Sequence, residues 1–203
     1  MIYNLNVYKK ENIMETEITV QVFDSLKEIR EFLEKQNYQM IENYQMKDYY
    51  FSKYSLEEIK NMDYAELLKN SFLVREILDD KPHFQICYKD KRTNKKGDVI
   101  SENKIVSNIA NSKNALTIFK SANLTNWCVV DNNTYVYKKG EVEFALQIIK
   151  GLGSFLELEE DEKISKFSVE QKRKILKQRV QSVGLKLGED YSCKKPYMLL
   201  HRK

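Results

Sequence analysis

Glycine and proline are scarce in this 203-residue chain, with 6 and 2 copies, which argues against a linker-rich, multi-module or collagen-like protein. The three cysteines, Cys87, Cys128 and Cys193, are odd in number, widely scattered and form no CxxC. Neither a disulfide framework nor a zinc site is therefore indicated, and a reducing cytoplasm is the expected compartment. No apolar run approaches the roughly 18 residues of a membrane span. The opening MIYNLNVYKKENI also lacks the apolar core of a signal peptide. One-signed charge is missing too: 34 Lys+Arg against 30 Asp+Glu leave +4, too little to argue for a nucleic-acid binder.

What is present suits a soluble domain with a core, since 42% of residues are hydrophobic and 32% charged. The length fits one domain. Helix starts are written in caps. Asp24-Ser25 precede a stripe of Leu26, Ile29, Phe32 and Leu33. Ser55 with Glu58, and Ser168 with Gln171, form capping boxes. The first of these helices is expected to run on to Leu67-Leu68, and the second to stop at Gly184. A further helix is expected over 107–121 behind Ser107. Alternation predicts strands at 14–22, 46–54, 71–78, 83–90, 98–106, 125–138, 141–150 and 154–160, with a hairpin turn at Gly140. So many strands with polar faces in a short chain suggest a curled antiparallel sheet or barrel.

Glu15 and Glu17 share one face of the first strand, as do Glu157 and Glu159 on the last. Such rows are a solvated sheet face or a polar lumen, and periodicity does not choose between them. If they line a lumen, paired carboxylates on a rigid sheet suit a hard divalent cation, Mg²⁺ or Mn²⁺, which takes oxygen ligands. The basic stripe Lys172, Arg173, Lys174, Lys177 and Arg179 reads as a solvated helix face.

Order and wording then carry a resemblance. Glu15-Thr16-Glu17 opens the first strand, Lys47-Asp48-Tyr49-Tyr50-Phe51 follows a helix, Tyr88-Lys89 closes a later strand, and Gly151-Leu152-Gly153-Ser154-Phe155-Leu156-Glu157-Leu158-Glu159 stands near the end. Together these resemble the CYTH superfamily, the triphosphate tunnel proteins that include class IV adenylate cyclases, thiamine triphosphatases and inorganic triphosphatases. The match runs from about residue 14 to 160, with a weaker one from Tyr191-Ser192 to Leu200. It implies an α+β fold, an eight-stranded antiparallel β-barrel with flanking helices. The domain would span 14–203 (barrel 14–160, C-terminal helix and tail 161–203) behind an N-terminal extension of residues 1–13.

Carried over position by position, the resemblance assigns Glu15, Glu17, Glu157 and Glu159 to the cation, and Arg75 and Lys89 to substrate phosphates. Glu102 and Lys104 stand as further candidates. The ligand implied is a triphosphate or nucleotide small molecule with Mg²⁺ or Mn²⁺, and a homodimer is left open. Several basic positions of the family pattern are lost. Thr19 stands for the lysine of the ExExK strand and Leu73 for an arginine. On 125–138 the basic pair falls on Val130 and Asn132 or on Asn132 and Thr134, according to register. Gln147 replaces an aspartate. A hydrogen bond to a charged group is worth roughly 1.5–3 kcal/mol, so two lost contacts weaken phosphate binding by about 10²–10⁴-fold. The sequence therefore supports three readings: a metal-linked phosphate binder with weak hydrolysis, an adenylate cyclase-like enzyme, and a non-catalytic binding domain.

Overall fold

The computed structural model describes residues 16–93 and 99–202. Eight strands form one antiparallel sheet: β1 (Glu17–Val22), β2 (Gln39–Ser52), β3 (Ser71–Leu78), β4 (His83–Thr93), β5 (Val99–Ile109), β6 (Thr125–Lys139), β7 (Val142–Ile149) and β8 (Gly153–Glu159). Their spatial order is β1-β8-β7-β6-β2-β3-β4-β5. Six helices flank it: α1 (Leu26–Lys35), α2 (Leu56–Asn61), α3 (Tyr64–Lys69), α4 (Ser112–Ser121), α5 (Val169–Ser182) and α6 (Lys195–Leu200). No described helix is long and apolar enough to cross a membrane. Residues 1–13, expected as an extension, lie outside the described residues.

The three local start signals act as read. Ser25, Ser55 and Ser168 each accept from the backbone N–H three residues on, and Glu28, Glu58 and Gln171 reach back to the cap N–H. Between β6 and β7 the turn needs a left-handed residue, and Gly140 supplies it at φ +58°. Two helix expectations are corrected. The helix begun at Ser55 stops at Met62, whose backbone is extended, and Asp63 caps a new helix through Ala65 and Glu66. The helix expected from 107 begins at Ser112, because Ser107, Asn108 and Ile109 still pair with β4 at Ile86, Gln85 and Phe84.

The sheet curls, with α1, α4 and α5 on its convex side. Ile18, Val20, Leu156 and Leu158 pack under α1 and α5 with Ile29, Leu33, Leu176 and Val180. Phe51 and Val74 pack under α4. The curl gives the barrel-like tunnel fold expected, with the sheet itself left open between β1 and β5 among the described residues. Among the described residues β1 pairs only with β8, and β5 only with β4. A strap of the C-terminal tail covers the open edge of β1: the N–H groups of Phe23 and Thr19 donate to the carbonyls of Lys186 and Tyr191, while those of Gly188 and Cys193 donate to Gln21 and Thr19. A sheet edge otherwise exposed to pairing is thereby satisfied.

One end of the concave side is filled. Tyr50, Leu73, Cys87, Cys128 and Val130 turn inward and meet Ile59, Leu67 and Leu68, with Tyr197 and Met198 packed alongside. Leu73 and Val130, apolar where the family pattern has bases, thus belong to an apolar floor under α2, α3 and α6.

Candidate functional site

Above that floor lies a cavity of about 710 Å³, reached by side chains from β1, β2, β3, β4, β6, β7, β8 and α6. Strand alternation puts Glu17, Glu157 and Glu159 on this concave side. Antiparallel pairing places Glu17 opposite Glu159 and Thr19 opposite Glu157. One carboxylate oxygen from each of the three glutamates lies within 4.8 Å of the others. Like charges directly opposite on a sheet are destabilising, so this concentration needs an offsetting charge. Glu160 points the other way, to Lys172 of α5 at 2.9 Å and the Thr16 N–H at 2.8 Å. That pair is buried, which corrects the reading of Lys172 as part of a solvated stripe.

Glu157 accepts several hydrogen bonds. Its Oε1 accepts from Gln147 Nε2 at 3.1 Å, and its Oε2 from Thr19 Oγ1 at 3.2 Å. The same Oε2 accepts from Lys195 Nζ, which also donates to Gln147 Oε1 at 2.6 Å. Gln147, 2% exposed, therefore bridges the lysine and the carboxylate.

Across the cavity Arg75 is engaged by Asp48, its cross-strand partner. Nε donates to Oδ1 at 2.7 Å and Nη2 to Oδ2 at 2.6 Å, a bidentate fork. Burial disfavours the guanidinium charge, but the Asp48 carboxylate outweighs it and holds the Arg75 pKa well above the ordinary arginine value. Lys89 lines the same cavity. Tyr44 also faces it, and burial, with the charges of Glu42 and Glu157, raises its phenol pKa. On β6 Val130, Asn132, Val136 and Lys138 line the cavity, and Thr134 shares their face by strand alternation. Both registers considered for the lost basic pair therefore leave uncharged residues inside, and Thr134 Oγ1 donates to Asn132 Oδ1 at 3.2 Å.

Of the site residues expected from the sequence, Glu17, Glu157, Glu159, Arg75 and Lys89 converge on one cavity. Glu15 lies outside the described residues. Glu102 and Lys104 fall on β5, opposite Lys91 and Lys89, and their side chains lie outside the described residues. Sequence reasoning missed Lys195 and the pairing of Asp48 with Arg75. The tail match around Tyr191 to Leu200 brackets Lys195, but only the topology shows that this segment returns to β1.

Three carboxylates with clustered oxygens fit a hard divalent cation. For Glu157 to take part, its oxygens must release the donors of Thr19, Gln147 and Lys195.

None of the protein-family models matches the sequence, and no curated protein does either. Solved structures do share the fold. The PH1012 protein of Pyrococcus horikoshii is 20% identical with a TM-score of 0.66, over 93% of this chain and 100% of that one. A candidate adenylate cyclase of Vibrio parahaemolyticus is 15% identical with a TM-score of 0.56, over 87% and 91%. HpAC1 of Hippeastrum, a candidate adenylyl cyclase described as having a dominant triphosphatase activity, is 11% identical with a TM-score of 0.58, over 92% and 95%. This chain has their fold. The tunnel architecture that the sequence resemblance implied is present.

Proposed function

We propose that the chain binds a triphosphate or nucleotide together with a divalent cation in this cavity, and hydrolyses it slowly. The observation that carries the reading is the convergence of Glu17, Glu157 and Glu159 on a cavity that Arg75 and Lys89 also line. When bound, the cation supplies charge neutralisation to phosphate oxygens. Glu17, Glu157 and Glu159 would hold it, and Lys89 would contact phosphate. The apolar floor of Leu73 and Val130 excludes water from one end.

Slow turnover follows from the same geometry. Phosphoryl transfer relies on positioned cations more than on covalent chemistry. Here the inward cation on β3 is held by Asp48, and Lys138, the cation that β6 brings to the cavity wall, is paired with Glu143 at 2.8 Å.

The test is calorimetric titration with tripolyphosphate and ATP in Mg²⁺ or Mn²⁺, with phosphate release and cyclic AMP measured in parallel. Wild type is expected to bind and to release phosphate slowly without forming cyclic AMP. Glu17→Gln and Lys89→Ala should each weaken binding by about tenfold or more. Absence of binding by the wild type in either metal would overturn the reading, and cyclic AMP formation would replace it with the cyclase-like one.

A further inference from the structure

The first strand lacks the lysine that a phosphate-binding tunnel of this pattern places there, and Thr19 occupies the position. The C-terminal segment brings a lysine to the same spot. Its strap runs along β1, with hydrogen bonds from the Thr19 N–H to the Tyr191 carbonyl at 3.3 Å and from the Cys193 N–H to the Thr19 carbonyl at 3.0 Å. Two residues beyond Cys193 the chain enters α6, whose first residue is Lys195. Pro196, which follows, is buried, and its carbonyl accepts from Cys128 Sγ at 3.6 Å. The backbone of Lys195 is thus held on both sides by contacts that do not involve its ammonium group.

That ammonium group reaches into the cavity and meets the carboxylate that Thr19 Oγ1 also contacts. We propose that Lys195 is a phosphate-contacting residue of the cavity, supplying from the C-terminal segment the cation that β1 lacks. This rests on the reading of the cavity as a polyphosphate site and names a further member of it. Lys195 rests on Glu157 and Gln147. A divalent cation at the glutamates competes with it for Glu157, so the ammonium turns to the incoming anion. A lysine suits this exchange, being a compact charge on a flexible stem.

The experiment is calorimetric titration of the 203-residue chain with tripolyphosphate in saturating Mg²⁺, with thermal unfolding to confirm folding of each variant. Lys195→Met keeps the length of the side chain and removes its charge, and should weaken binding roughly ten- to hundredfold. Lys174→Met, on the exposed face of α5, should bind as the wild type does. Thr19→Lys combined with Lys195→Met returns a cation to the strand and should recover most of the lost affinity. Binding by Lys195→Met equal to that of the wild type would overturn the proposal and leave the cavity reading intact. A double variant as weak as Lys195→Met would overturn the claim that the two positions are equivalent. Failure of the wild type to bind tripolyphosphate would remove both the cavity reading and this one.

Discussion

Asp48, 4% exposed, carries the clearest single-residue consequence, because it decides what Arg75 is available to do. Removing one partner of a buried ion pair leaves an uncompensated charge and destabilises by about 3–5 kcal/mol. Asp48→Asn should lower the urea midpoint accordingly. It should also turn Arg75 toward the cavity, so tripolyphosphate ought to raise the melting temperature of the variant more than that of the wild type. An equal or smaller rise would show that Arg75 does not face the anion. Cys128 gives a consequence in pH. Burial, with a smaller contribution from Asp48, pushes its thiol from the ordinary 9.0 up to about 12. The unfolded chain therefore releases a proton from about pH 9 upward that the folded chain retains, so stability present below pH 9 is lost progressively between 9 and about 12. Melting temperatures across that range should fall less steeply in Cys128→Ala. Both cases mark what was legible at this scale. Arg75 and the glutamates could be named from strand parity and the family pattern. The partner of Arg75 could not, because it depends on the β2–β3 register.

Elements were legible where their signals are local. A capping box is a contact between residues three apart, so Ser25, Ser55 and Ser168 could be found by reading along the chain. The same logic explains the misses. The break between α2 and α3 turns on Asp63, whose side chain accepts from Ala65 N–H at 2.9 Å and Glu66 N–H at 3.1 Å, yet the apolar pattern runs across it. Strand β2 begins at Gln39, earlier than the aromatic stretch from 46 suggests, because Gln39–Asn43 are exposed on both faces and show no alternation. The cap at Asp63 matters beyond α3, since Leu67 and Leu68 of that helix form part of the apolar floor. Asp63→Ala is expected to destabilise by about 0.5–2 kcal/mol, measured by urea unfolding. Asp63→Asn, which retains a capping oxygen, should recover most of that loss. Equal losses in the two variants would show that the cap is not what holds α3.

At the scale of the molecule the sheet's strand count could be read from alternation, but its closure could not. Closure depends on whether the two outermost strands meet, and here β1 is met by the strap from Lys186 to Cys193 instead of by β5. The strap therefore does two jobs with one segment: it protects an edge and positions Lys195. Its four backbone hydrogen bonds, three to β1 and one to Phe23 just beyond it, at about 0.5–1.5 kcal/mol each, contribute roughly 2–6 kcal/mol. Leu185, Leu187 and Tyr191 add apolar contact with the cluster under α1 and α5. Deleting residues 185–203 should lower the melting temperature and leave the N–H and C=O groups of β1 open to pairing with a second copy. Size-exclusion chromatography should then show concentration-dependent self-association. Gly188→Pro, which removes the donor to the Gln21 carbonyl and leaves the rest of the strap in place, should give a smaller thermal loss. A deletion that remains monomeric with an unchanged melting temperature would mean that β1 needs no cover, and the strap would then serve only to carry Lys195 to the cavity.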